Sequence, residues 1–86
     1  MKKDIITIKL ADGTIKDMEM ILIYYDDKTK NNYILYKDIN INDECYAAKY
    51  IKNGNTFEID SNLNKKELKL LELVLEKTLK ENNYEN

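Results

Sequence analysis

Residues 63–82, LNKKELKLLELVLEKTLKEN, are the segment with sustained helical periodicity, and the rest of the chain is arranged around them. Asn64 reads as an N-cap, because its side-chain oxygen can accept from the backbone N–H two or three residues on. Glu67 stands at the third helical position, where its carboxylate reaches back to the cap and meets the positive helix end. Leu63 before the cap and Leu68 at the fourth helical position have the spacing of a hydrophobic staple. These signals predict a helix over 65–81. At about 100° per residue, Leu68, Leu71, Val74, Leu75 and Leu79 share one face, with Leu70 at its edge. Lys69, Glu72, Glu76, Lys77 and Lys80 fall outside it. Leu73 projects among these charges, either as a single exposed leucine or as a contact for a partner.

Upstream, the periodicity changes from helical to alternating. Residues 4–10 place Ile6, Ile8 and Leu10 on one side, and Asp12-Gly13 then signals a tight turn. A second strand over 14–25 puts Met18, Met20, Leu22 and Tyr24 on one face, and its length allows for a bulge near the middle. DDKTKNN, residues 26–32, is a polar turn leading to a third strand at 33–37, rich in β-formers. Residues 38–43, DININD, are expected as a loop. ECYAAKYIK, 44–52, is a fourth strand, and Asn53-Gly54 favours a type I′ hairpin into a fifth at 56–59. Strands joined by short turns pair as a meander. The expectation is one α+β domain: a five-strand antiparallel meander with a single C-terminal helix packed on one face and the other face left open.

Composition narrows the function classes. The chain has 86 residues, 43% hydrophobic and 35% charged, which is a globular balance for one modest core. The formal charge is −2 and every cation is lysine. Sequence readers of nucleic acid lean on arginine for bidentate contacts, so the absence of arginine with net acidity argues against DNA or RNA as the partner. Cys45 stands alone, which excludes an internal disulfide and fits a reducing cytosol. Beside Ala47 on a strand, it reads as a small buried core residue and not as a reactive thiol. Met1-Lys2-Lys3 leads into a charged, alternating stretch unlike a signal peptide, and no run approaches the ~20 apolar residues of a membrane span. The expectation is a soluble, cytoplasmic protein with no membrane association.

With no histidine, there is no Ser-His or Cys-His pair and no imidazole base. No phosphate loop or EF-hand spacing occurs. No catalytic, metal or cofactor-binding residue is expected, and the chain reads as non-enzymatic. Seven tyrosines are the chief anomaly. Tyr24, Tyr33, Tyr36, Tyr46 and Tyr50 all fall on expected strands, and alternation cannot bury them on one face. They stabilise the sheet by cross-strand packing, form a docking face for a protein, or stack single-stranded bases. The candidate partner contacts are Tyr33, Tyr36, Tyr46, Tyr50 and Leu73, with another protein or a second copy of the chain as the partner. A second functional class is a phosphate mimic that blocks a nucleic-acid enzyme, carried by Asp12, Asp17, Glu19, Asp26, Asp27, Asp43 and Glu44.

Several of these segments together resemble the small bacterial DUF1292 (UPF0473) family, found mainly in Firmicutes. The resemblance is carried by Ile5-Ile6-Thr7-Ile8 leading to Asp12-Gly13, by residues 18–22, and by Asn32-Tyr33-Ile34-Leu35-Tyr36. It continues in Tyr46-Ala47-Ala48-Lys49-Tyr50, in Gly54 with Phe57-Glu58-Ile59, and in Lys65-Lys66-Glu67-Leu68 at the helix start. The chain departs from the family pattern at Glu58, where a proline is usual, at the basic pair Lys65-Lys66, and at Leu73, where a glutamate is usual. The resemblance implies a fold and a cytoplasmic bacterial origin, and it carries no activity onto any residue.

Overall fold

The strands form where alternation and turn chemistry agree. A computed structural model of the chain describes residues 4–40 and 44–84, with side chains through 80. Five strands precede one helix: β1 (Ile5–Lys9), β2 (Ile15–Asp26), β3 (Asn31–Lys37), β4 (Tyr46–Asn53), β5 (Thr56–Asp60) and α1 (Lys65–Tyr84). The α+β class and the single C-terminal helix agree with the sequence reading, and consecutive strands pair antiparallel in meander order. The loop expected over 38–43 is a turn at 39–40, and its remainder, 41–43, lies outside the described residues.

The sheet is not open. It closes into a barrel of order β1-β2-β3-β4-β5. An up-and-down meander with an odd number of strands has its first and last strands pointing the same way, so the closing pair must be parallel. Thr7, Ile8 and Lys9 of β1 accordingly lie opposite Thr56, Phe57 and Glu58 of β5. This corrects the expectation of an all-antiparallel sheet with one uncovered face: the face thought to be open is the barrel interior. Alternation tells which side chains share a face, but not how far twist and tilt curl that face onto itself.

The hairpins follow from their turn residues. Gly13, at φ 91°, ends a three-residue loop closed by Leu10 N–H to the Thr14 carbonyl at 2.8 Å and Gly13 N–H to the Leu10 carbonyl at 2.9 Å. The β4–β5 loop is Gly54-Asn55, between the paired Asn53 and Thr56, and Gly54 alone there has positive φ, 62°. That is a type II′ pattern with glycine first, one residue later than the I′ turn expected for Asn53-Gly54. The β2–β3 loop ends on Lys30, a non-glycine residue in the left-handed region at φ 62°, with its N–H donating to the Asp26 carbonyl at 2.8 Å.

Two apolar clusters result. Ile8, Met18, Ile34, Tyr36, Ala48, Phe57 and Ile59 fill the barrel. Tyr33, Leu35 and Leu71 form a second cluster outside it, joined by Leu22, Tyr24, Ala47, Leu63 and Leu75. The foreseen bulge in β2 makes this possible. The register shifts between Met20 and Leu22, so Met18 and Met20 point inward while Leu22 and Tyr24 pass to the outside beneath α1. One extra residue reverses the faces of everything after it, and the single face drawn through all four side chains is thereby corrected.

The helix stripe is narrower than its sequence. Leu71 is buried at 2% exposure, flanked by the half-buried Leu70, Val74, Leu75 and Thr78. Leu68 and Leu79 stay exposed. Leu63, just ahead of the helix, packs into the Tyr33, Leu35 and Leu71 cluster. Leu71→Ala should therefore cost about 2–4 kcal/mol of unfolding free energy. Leu79→Ala should change it by no more than about 0.5 kcal/mol. Urea denaturation of the two variants checks both values.

Candidate functional site

The helix start is built as its sequence dictates. Asn64 Oδ1 accepts from Glu67 N–H at 2.8 Å, and Glu67 Oε1 accepts from Asn64 N–H at 3.0 Å, the reciprocal pair of a capping box. The second carboxylate oxygen reaches the sheet. Tyr33 on β3 donates its hydroxyl to Glu67 Oε2 at 2.6 Å, and Lys49 Nζ on β4 lies 3.4 Å from the same oxygen. One carboxylate thus ties the helix to two strands. The Tyr33 hydrogen bond, with the backbone N–H of the cap and then Lys49, holds Glu67 below the usual carboxylate range. Burial first, and then its bond to Glu67, pushes the Tyr33 phenol up. The result is an anionic glutamate and a protonated tyrosine, an arrangement that positions groups and does not exchange protons near neutral pH.

This cluster floors a hollow of about 330 Å³ bordered by Asp26, Thr29, Asn31, Lys66 and Leu70. Asn31 and Lys49 also border a neighbouring cleft of about 540 Å³. That cleft follows from strand register. Pairing between β3 and β4 ends at Tyr33 opposite Lys49, whereas β4 remains paired with β5 through Asn53. Asn31 and Asn32 therefore part from Tyr50 and Ile51. The cleft gains an apolar element from Tyr50 and Ile59 and charges of both signs from Lys30, Lys49, Glu58 and Asp60. Tyr50 is braced by Phe57, their ring centroids 5.0 Å apart. Asn31 and Lys49 border both hollows, which together are termed the groove below.

The five tyrosine and leucine candidates are dispersed. Tyr33 and Tyr36 are buried at 1% and 4% exposure, which removes both rings from any partner surface; only the Tyr33 hydroxyl meets the groove. Tyr36 packs inside the barrel with Tyr46 stacked on it at 5.5 Å. Tyr46 is exposed, with its hydroxyl donating to Glu44. Tyr50 reaches the groove, and Leu73 is exposed on the outer side of α1. Burial of the first two has a simple cause: β3 is covered on both faces, so neither parity exposes a ring. Lys49, Asn31 and Lys30, which shape the groove, carry no sequence signal beyond their polarity.

Cys45 is exposed and not a core residue. It borders an apolar notch with Leu35, Leu68, Leu71 and Leu75, where local burial pushes the thiol up, offset in part by Lys37. The carboxylates considered as a phosphate mimic are dispersed as well. Asp12 lies in the β1–β2 turn, and Asp26 and Asp27 at the far end of β2. Lys30 pairs with Asp27 at 3.2 Å and Lys37 with Glu19 at 3.7 Å; Asp43 is outside the described residues. Among the described residues no helix is long and apolar enough to cross a membrane.

Set against family models, curated proteins and solved structures, the chain matches none.

The Glu67 tie makes stability pH-dependent in a definite direction. Its folded-state pKa lies below the unfolded one, so its contribution is complete above the unfolded value and fades as pH falls through the folded value. Tyr33→Phe should cost about 1–2 kcal/mol near neutral pH. The gap between wild type and Glu67→Gln should narrow as acid is added below about pH 4. Denaturant midpoints measured across that range, with the double variant Tyr33→Phe/Glu67→Gln closing the cycle, check both statements.

Proposed function

We propose that this chain is a non-enzymatic protein-interaction or regulatory module of the cytoplasm, bacterial in origin as its resemblance implies, which receives an extended segment of a partner protein in the groove. The observation that carries the reading is the parting of β3 from β4 at Asn31 and Tyr50. It sets amide side chains, lysines and carboxylates along one channel with an apolar element between them. A polypeptide in extended form offers the matching chemistry: amides for Asn31 and Asn32, charges of either sign for Lys30, Lys49, Glu58 and Asp60, and a side chain to set against Tyr50 and Ile51. Lys30 supports the reading independently. A lysine held at φ 62° costs roughly 1 kcal/mol relative to a residue at ease there, and such strain gathers where a side chain is needed for a task.

Ile51 is 72% exposed, so its replacement leaves the barrel intact. Immobilised wild type should capture a partner from bacterial lysate, and Ile51→Glu should lose at least roughly tenfold of that capture, the size of a single contact residue. Failure of wild type to retain any protein at micromolar concentration, or equal retention by both, overturns the reading. Lys30→Gly should raise the unfolding free energy by about 1 kcal/mol while weakening capture, as calorimetry and the same assay would show.

A further inference from the structure

The fork between β3 and β4 leaves main-chain groups of β4 facing the cleft. Asn53 and Thr56 flank the two-residue loop as a pair, and the pair beside such a loop exchanges both of its backbone hydrogen bonds. Exchange alternates along an antiparallel ladder. Ile51 and Lys49 therefore bond to Glu58 and Asp60, their partners on β5, while Lys52 turns its N–H and C=O the other way. On that side β3 runs alongside only as far as Tyr33, opposite Lys49. At Lys52 the outward groups face no strand among the described residues. Lysine commonly guards such an edge, but here its ammonium leans toward β5, 5.5 Å from the centre of the Phe57 ring.

Charge along the cleft is one-sided once existing pairs are counted. Lys30 lies 3.2 Å from Asp27 and Lys49 3.4 Å from Glu67. Glu58 accepts from Asn53 Nδ2 and Asp60 from Asn62 N–H, each at 3.0 Å. Lys9 on β1 stands opposite Glu58 and Lys49 opposite Asp60, yet among the described residues neither carboxylate is in ion-pair contact. Between them and the fork, Ile51 is 72% exposed.

We propose that the partner segment is basic and adds to β4 as a strand, its main chain bonded to Lys52 and a lysine or arginine reaching Glu58 and Asp60. This deepens the groove reading and rests on it. Strand addition takes affinity from peptide groups and selectivity from alternate side chains. One parity of the added strand lies beside Tyr50 and the other beside Ile51. A long cationic side chain on the second parity lays its methylene stem over Ile51 and carries its charge to the two carboxylates. An acidic segment meets the same carboxylates as repulsion, so the cleft selects the sign of its occupant.

Short random peptides displayed on phage and selected on the immobilised full chain supply the probe. Those whose binding is lost in Ile51→Glu occupy the groove, and they should carry lysine or arginine and lack aspartate and glutamate. The tightest of them is then synthesised with a single N-methyl group at each residue in turn. Affinity should fall by roughly tenfold at alternate residues and hold at those between, as hydrogen bonds from every second peptide group require. Lys52→Pro removes one outward N–H and leaves the β4–β5 ladder whole, so it should weaken this peptide by roughly tenfold, whereas Lys52→Ala should not. The Lys52 amide hydrogen should exchange more slowly in the complex than in the free chain. The methyl scan decides if Lys52→Pro does not fold. Groove-bound peptides that tolerate methylation throughout, bind Lys52→Pro as well as wild type, or are acidic overturn the proposal and leave the groove reading standing. Selection of no peptide sensitive to Ile51→Glu overturns both.

Discussion

Burial of β3 on both faces is the constraint to which the other elements answer. Ile34 and Tyr36 point into the barrel while Tyr33 and Leu35 lie beneath α1, so this one strand belongs to both apolar clusters. A strand with no solvent face needs a closed sheet on one side and a cover on the other. β2 meets that demand with its bulge, contributing Met18 and Met20 to the interior and Leu22 and Tyr24 to the outer layer. The helix meets it with few residues: Leu71 enters the cluster and Glu67 locks the start of α1 to Tyr33 and Lys49. An ion pair in this setting gains from having its remaining lone pairs satisfied, which the capping N–H and the tyrosine hydroxyl supply.

Elements governed by neighbours in sequence were legible, and those governed by distant partners were not. Asn64 and Glu67 form the expected capping box because both residues lie within one turn of each other. The strands sit within a few residues of where alternation places them, and Gly13 and Gly54 fall in turns. Closure of the sheet was hidden. It depends on Ile8 meeting Phe57, a pairing that no local pattern records. The same limit explains the tyrosines. Parity separates Tyr33 from Tyr36, but only the presence of a core on either side of β3 shows that both are buried.

The groove was partly legible. Glu67 drew attention as a cap, and its second role appears only when β3 and β4 bring Tyr33 and Lys49 beneath it, with Tyr33 34 positions away in sequence. Lys30 is read from sequence as one more polar turn residue; its left-handed backbone conformation is a property of the folded hairpin. Cys45 was misplaced for a related reason. It stands just before β4 and not within it, so strand parity never applied to it, and it lies at the margin of the helix instead of under it.

The parallel seam between β1 and β5 has a consequence for how the chain reaches this state. The two strands that close the barrel are its earliest and its last, so no partial product of synthesis can complete the ring before residues 56–60 have emerged. Hairpins β1–β2, β2–β3 and β4–β5 can form as neighbours in time, whereas the seam must bring together positions separated by nearly the whole sheet. Such long-range closure slows folding relative to a helical protein of equal size. Until it occurs, the flanks of β1 and β5 remain open to unintended strand pairing.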